Sequence, residues 1–598
     1  MVRSNYKFSN DKAAIERLAK RYPQCAKAIE NAKREAEYAR KNFADNPEWL
    51  SGWGHNFCCT KCAAQMIVDI NMPYNPPNVF TCSNCGEKAS SIDHDEAWVY
   101  YYRVRFGSFM NSCAVSALFG DTEAIDYMIR YMDFYADNYD KFPVHGKHAG
   151  KGKIMEQALD EAVWIIEVLG ALTAVDEMIP KAKKEEWMEK LLRPITELIL
   201  PQSNFIHNIP TWLKCAVGVI GIYGGDDELL DIALNSEFGI RNQIAKGFTE
   251  DGIWYEGSMT YHFYTASAVT GFFSFYAAKN PTDPIFDTYG KMFTTPLVLS
   301  YNGRNMPAIN DGWYGRGAAG AHVIPGRICD DMNLKAFNDM AIAENPGCIA
   351  NARALLFQPI EDDVEVFSAT RLAVVKKPFH ILFKAGVIAQ SHMHLDALST
   401  RISPFSDDLG TPGYGHELTK RFYRYIAAHN AIAVDQMQPL GVPVTTMEKI
   451  EDGAKATVAP GTWADLTVAE RSLTVDGDKV VDLTVLSAPT EHTYDWFFHS
   501  IGKAEYSTDE GEAVESLGEA KMGYDYITDI KKMKTNGSFT ATFTLDNGDS
   551  LTLEIPSTEG IEVYTAKTPD NPADNKRSTV ILRRTATDAT FRAIFYKK

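Results

Sequence analysis

No stretch of the 598-residue chain approaches the ~18 continuous apolar residues that a membrane-spanning helix needs. The opening Met-Val-Arg-Ser-Asn-Tyr-Lys-Phe has no apolar core and no small-residue cleavage site, so no secretory signal is expected and the chain reads as cytoplasmic. Positive charge is in deficit: 60 Lys plus Arg stand against 78 Asp plus Glu, a formal net charge of −18. That balance argues against nucleic acid or an anionic membrane as partner, since both call for a positive surface field. Any anionic substrate has to be held by a local basic or hydrogen-bonding cleft. Histidine and cysteine are sparse, 14 and 10 residues, so it is their placement that informs.

Apolar residues are not in short supply. At 45% hydrophobic, 12% aromatic and 23% charged, the chain buries enough surface to offset chain entropy and is expected to fold over most of its length. A prior of ~150 residues per domain allows two to four units.

Four cysteines stand in two Cys-x2-Cys pairs, Cys59/Cys62 and Cys82/Cys85, with 19 residues between the pairs. Thiolates at that spacing converge on one tetrahedral ion, so a zinc-ribbon-like element over 55–90 with structural zinc is expected, ahead of disulfides or free thiols. Cys58 beside the first pair leaves one ligand open. The scattered Cys25, Cys113, Cys215, Cys329 and Cys348 read as small buried hydrophobes.

Residues 1–355 read as helical. Ile154–Leu172 has apolar residues near helical spacing, with Glu156, Asp160 and Glu167 expected to face outward. Similar stretches recur at Ala114–Ala136, Trp187–Leu200, Trp212–Tyr223, Leu229–Ala245 and Tyr261–Ala278, which suggests helical hairpins around a centre. From about Val364 the texture turns to short runs of Val, Thr, Phe and Leu: Ser368–Val375, His380–Ala385, Lys455–Val458, Leu466–Val475, Val480–Leu486, Ser538–Leu545 and Ser550–Ile555. Asp476-Gly477 and Asn547-Gly548 give hairpin signals between such runs. Residues 356–598 are therefore expected to form an antiparallel β-sandwich, with 563–580 as a solvated loop.

Four clusters carry polar chemistry: His207-Asn208, the run Asp251 to Tyr264, Ser391 to Ser399, and Asp407 to Asn430. His392 and His394 alternate on an expected strand and so share a face. With Asp408 and His429 they offer a His-Asp-His metal site, against the alternative of a hydrogen-bonded pair. Tyr261, His262 and Tyr264 near Glu256 read either as a pocket-lining helix or as aromatic packing.

Taken jointly, Asn208 with Trp212, Asp251-Gly-x-x-x-Glu256-Gly-Ser-x-x-Tyr261-His262, Pro307-x-Ile-Asn310-Asp311, His392-x-His394-x-Asp396-x-Leu-Ser, Asp408-x-Gly-Thr and Ala428-His429-Asn430 resemble the heparinase II/III-like superfamily of polysaccharide lyases. The resemblance spans roughly 50–435. It implies an (α/α) toroid followed by the β-sandwich, with the active site between them. The implied reaction is β-elimination at a uronate, with loss of the C5 proton and of the 4-linked oxygen to leave a 4,5-unsaturated uronate. It implies Tyr261 as base or acid, His392 in the other proton-transfer role or on the carboxylate, and His207 or Asn208 neutralising the carboxylate. His394, Asp408 and His429 match the metal triad, for zinc or manganese, with Asp407 as the rival carboxylate. Gln157, Asn310, Asp311, Tyr414 and Arg424 are expected substrate contacts.

The substrate implied first is a uronic-acid-containing glycosaminoglycan of the heparan, hyaluronan or chondroitin type. The alternatives are an alginate or oligoalginate lyase, a toroid glycoside hydrolase using two of Asp251, Glu256 and Asp311, and a non-catalytic glycan-binding protein.

Overall fold

The computed structural model describes residues 7–8, 12–21, 23–62, 64–147, 150–280, 282–285, 291–301, 306–314, 327–328 and 363–597. The expected domain boundary at 355, and Cys329 and Cys348, lie outside the described residues.

Up to Leu299 the described chain is mainly helical, with helices at Lys12–Arg21, Pro23–Asn42, Ile92–Leu118, Thr122–Asn138, Ala158–Ala174, Lys181–Trp187, Arg193–Ile199, Asn208–Gly224, Asp227–Asn235, Ile240–Gly247, Met259–Lys279 and Lys291–Leu299. Helix Asn208–Gly224 is apolar on nearly every side and packs against Ala158–Ala174, Asp227–Asn235 and Met259–Lys279. None of the described helices is long and apolar enough to cross a membrane. Two expected single stretches are each two helices. Ala114–Ala136 breaks at Asp121, whose carboxylate caps the next helix by accepting the Ala124 N–H, and Leu229–Ala245 breaks between Asn235 and Ile240. Glu156, expected outside, is buried before its helix begins.

The four cysteines sit in a small element whose one strand pair is Phe80–Thr81 with Lys88–Ala89. Three of them join the hydrophobic core of the helical region.

Beyond Val364 every described strand pair is antiparallel. A four-stranded sheet, Val364–Phe367, Leu372–Val375, His380–Lys384 and Ser399–Ser403, lies over a twelve-stranded one. Ala373, Phe383 and Ile402 from the first share a core with Leu473, Phe498 and Phe595 from the second. The opposite face of the small sheet is equally apolar: Leu372, Val374 and Leu382 pack with Ile253, Met259 and Leu299 of the helical half. Alternation along a strand sends successive side chains to opposite faces, so the fully buried run Leu-Ala-Val-Val serves both cores.

Asp476-Gly477 closes the hairpin between Val468–Asp476 and Lys479–Ser500. Three expectations need correction. Ser368–Val375 is not one strand but a turn at Ser368–Arg371 between two. The stretch from His392 to His394 is not a strand, and His392 takes φ 55. Residues 563–580 are mostly strand, Glu562–Pro569 paired with Lys576–Tyr596, and only 570–575 form the connection. The run Lys567-Thr-Pro-Asp-Asn-Pro-Ala-Asp-Asn-Lys576 reads as solvated, but Thr568 and Thr579 are buried with hydroxyls 3.0 Å apart.

Candidate active site

Segments from both halves converge where the small sheet meets the helices: the start of helix Asn208–Gly224, the loop from Asp251 into helix Met259–Lys279, the turn at Asn310-Asp311, and the loops around His392 and Tyr414. Two hydrogen-bonded groups result.

The first centres on Glu256, which is buried. Its Oε2 accepts from Asn208 Nδ2 at 2.7 Å and Trp254 Nε1 at 2.6 Å; its Oε1 accepts from Ser391 Oγ at 2.7 Å and His207 Nε2 at 2.8 Å. His207 Nδ1 accepts the Ile209 N–H as N-cap, so the ring proton is on Nε2, facing Glu256. Burial works to raise the Glu256 carboxyl, but the bonds and charge from His207, with His392 and Asn208, outweigh it and bring it down to about 2.

The second centres on Asp311, fully buried. Oδ2 accepts from His392 Nδ1 at 2.9 Å and from the Tyr414 hydroxyl at 3.0 Å, Oδ1 accepts from His394 Nε2 at 3.1 Å, and the Arg424 guanidinium spans both oxygens. The Tyr261 hydroxyl is 2.7 Å from that of Tyr414, and its ring stacks on His392 with centroids 3.5 Å apart. The left-handed backbone at His392 aims both histidines at Asp311, the work assigned by spacing to a strand. Burial holds the Tyr261 phenol above its usual range, so it keeps its proton near neutrality. With Nδ1–H of His392 held by Asp311, Nε2 is the nitrogen left to take a proton; it lies 3.6 Å from Glu256.

Of the expected substrate contacts, Asn310 and Asp311 are buried and hydrogen-bonded within the protein. Asn310 accepts from Lys384 Nζ and from the His394 N–H, and donates to Gly257 O. Tyr414 and Arg424 belong to the cluster. Gln157 is buried at the N-cap of Ala158–Ala174, and none of the cluster's hydrogen bonds among the described residues reaches it. His262 faces away, accepting the Trp254 N–H and donating to Met292 O; burial lowers it to about 4. The sequence reading left Glu256 without a role in elimination and Ser391 without any role. Their signal was present, Glu256 within the Asp-Gly-x-x-x-Glu-Gly run and Ser391 directly before His392.

His394, Asp408 and His429 each present one ligand atom within 4.8 Å of the others, all buried. His394 gives Nε2–H to Asp311 and leaves Nδ1 buried with no hydrogen-bond partner among the described residues. His429 gives Nε2–H to Tyr423 O at 3.0 Å, so its Nδ1 also carries a lone pair toward Asp408, 3.5 Å away. Two unprotonated imidazole nitrogens beside a carboxylate are the donor set that zinc or manganese takes. Asp408 is also bound by Arg401, while Asp407 turns to Ser403. The Asp408-x-Gly-Thr motif has a steric reason: Gly410 sits at φ 56, and a Cβ there would stand 2.0 Å from Gly312 O.

The four cysteines also fit an ion. Their Sγ atoms lie 3.5–3.7 Å apart in the pairs Cys62–Cys82, Cys62–Cys85 and Cys59–Cys85. Tetrahedral zinc with ~2.3 Å Zn–S bonds sets close to that spacing. Cys58 is outside the group.

Comparison with known proteins agrees with the motifs in both halves. The Heparinase II/III-like, C-terminal family matches residues 365–570, and the Alginate lyase family matches 124–290. An exo-oligoalginate lyase of Saccharophagus degradans is 29% identical over 210 residues, covering 32% of this chain and 28% of that protein. An alginate lyase of Stenotrophomonas maltophilia is 27% identical over 240 residues, covering 36% and 32%. The match therefore spans about a third or less of each curated relative. Heparinase III has the same fold over 99% of this chain and 92% of its own, with TM-score 0.58 at 12% identity. The chondroitin AC lyase of Streptomyces coelicolor A3, solved with chondroitin sulphate, superposes over 96% and 79%, with TM-score 0.52 at 12% identity. The resemblance to heparinase II/III-like polysaccharide lyases thus holds in sequence and in fold.

Proposed function

We propose that this chain is a polysaccharide lyase that cleaves uronate-containing glycan by β-elimination, with the cleft between a helical toroid and the β-layers as its active site. The observation that carries the reading is the pairing of a proton-retaining phenol, Tyr261, with a histidine whose Nδ1 is fixed by a buried carboxylate, His392 on Asp311.

Elimination needs the uronate carboxylate neutralised, a base at C5 and an acid at the leaving oxygen. The carboxylate would meet the N-terminus of helix Asn208–Gly224, where His207, Asn208 and the helix dipole face it. Glu256 already occupies those donors. Two carboxylates in one buried site do not both stay ionised, so substrate raises Glu256 and the pair shares a proton, which neutralises the uronate and acidifies C5–H. His392 Nε2 takes that proton, and Tyr261 gives its own to the departing oxygen, refilled through Tyr414. An ion at His394, Asp408 and His429 would be a fixed positive charge that holds the loop carrying His392 in place.

Without a substrate carboxylate to share a proton, Glu256 and Asp311 both stay ionised, which disfavours a hydrolase needing one protonated carboxyl. Among the described residues, Arg424 is the guanidinium bonded into the cluster, and Asp311 neutralises it. An unsulfated uronan fits that surrounding better than a sulfated glycosaminoglycan, in line with the alginate-lyase relatives, so oligoalginate is placed first and glycosaminoglycan second. The test is a panel of alginate, hyaluronan, chondroitin and heparan oligosaccharides read by unsaturated-uronate absorbance. New absorbance on alginate supports the reading, new reducing ends without absorbance mean hydrolysis, and neither means a binding protein.

A further inference from the structure

One wall next to the reacting hydroxyls is aromatic, and it comes from a segment to which no motif assigned a role. Residues 51–58 lead into the four-cysteine element and are pinned from several sides. Ser51 O accepts from His145 Nε2 at 2.9 Å, the Gly52 N–H donates to Glu96 O at 2.8 Å, Gly54 O accepts from the Tyr101 hydroxyl at 3.3 Å, and His94 Nε2 lies 3.2 Å from Cys58 O. Trp53 and His55, both half-buried, reach Tyr414: the Trp53 ring stacks at 6.2 Å and 18°, and the His55 ring meets it edge-on at 5.2 Å. His55 also stacks on Trp313 at 5.8 Å and 9°. Trp313 is two residues past Asp311, and Tyr414 bonds to Tyr261, so the three rings adjoin the proton-transfer pair.

We propose that Trp53, His55 and Trp313 form a stacking subsite for a pyranose ring beside the bond that is cleaved, a reading that rests on the lyase function above. A pyranose has faces of C–H groups and an equatorial rim of hydroxyls, so it suits flat aromatic rings with polar groups at their edges. The charge balance gives a second reason. A protein of net charge −18 gains little from long-range attraction to a polyanion, so uncharged contacts have to supply affinity. The same segment supports the Tyr414 loop: a Cβ on Gly415 would stand 2.7 Å from Cys58 Sγ and 2.8 Å from His55 O, so the loop rests directly on it.

The test is steady-state kinetics and tryptophan-fluorescence titration of Trp53→Ala and Trp53→Phe with unsulfated uronate oligosaccharides of increasing length. Trp53→Ala is expected to raise KM about tenfold with a smaller fall in kcat, the equivalent of one lost stacking contact. Trp53→Phe should restore most of it, and the fluorescence change on titration should shrink in both. A KM and length dependence unchanged in Trp53→Ala, with wild-type lyase activity intact, overturns the subsite and leaves the lyase reading standing. Should wild type release no unsaturated product, the lyase reading fails and the titration decides the subsite: saturable quenching lost in Trp53→Ala supports it, no quenching in wild type overturns it. Should Trp53→Ala not fold, Trp53→Phe and His55→Ala carry the same comparison.

Discussion

Glu256 accepts four hydrogen bonds from three segments of chain, and its charge depends on all of them. Its folded pKa, about 2, lies below its ordinary 4.5. The stability it contributes is therefore full above the ordinary value and is lost as pH falls toward the folded one. Thermal melts of Glu256→Gln should show a lower Tm at neutral pH and a flatter acid limb between those two pH values. His262 has the same direction for the opposite reason: burial keeps it neutral, so its share of stability is present above 6.5 and lost as pH falls toward about 4. Sharing of a proton between Glu256 and bound uronate predicts about one proton taken up per ligand near neutrality, read by calorimetry in buffers of differing ionisation enthalpy. For Tyr261→Phe, with its ring stacking on His392 preserved, kcat should fall ~10²–10⁴-fold. At this scale the residue types were legible, because a phenol, imidazoles and an amide in a fixed order have few other uses. The burial of Asp311 and Asn310 was not, since an acidic or amide side chain reads alike as contact or support until its neighbours are known.

The decisive element is the loop Ser391–Leu398, which has no regular structure to hold it. It is fixed by His392 and His394 on Asp311, by Asp396 on Lys384 and Arg401, and by Ser399 on Asp396. Removing one partner of such a buried charge set costs several times a surface pair, ~3–5 kcal/mol. An ion held by His394, Asp408 and His429 would add one further tether. Metal analysis of the purified protein is expected to find two ions per chain, one fewer in His394→Ala and one fewer in Cys62→Ser, with the remaining ion retained in each. The hairpin at Asp476-Gly477 was readable because two residues and their dihedrals define it. The turn at Ser368–Arg371 and the strand Glu562–Pro569 were not, because packing overrode local composition in both.

Across the whole molecule, the small sheet joins the two kinds of structure, with one face on the β-core and the other on the helices. Leu382→Ala should open a cavity at that junction and cost ~2–5 kcal/mol, seen as a lower denaturant midpoint. The acidic balance makes a further prediction. Protein and uronan repel at long range, so raising salt from about 0.02 to about 0.2 M should lower KM, opposite in sign to a basic glycan binder. Order and spacing of motifs, together with the shift from helical to alternating texture, settled by sequence alone which family this chain resembles and where its two kinds of structure lie. Those are short-range properties, encoded in neighbouring residues. Only the tertiary structure decided that Glu256 and Asp311 hold the two halves of the site, that His394 keeps a bare buried nitrogen beside Asp408 and His429, and that Trp53 and His55 reach Tyr414. Such contacts join segments from 48 residues apart, at Asn208 and Glu256, to several hundred, at Trp53 and Tyr414, and their burial, which sets every charge in the cleft, exists only once the chain has closed around them.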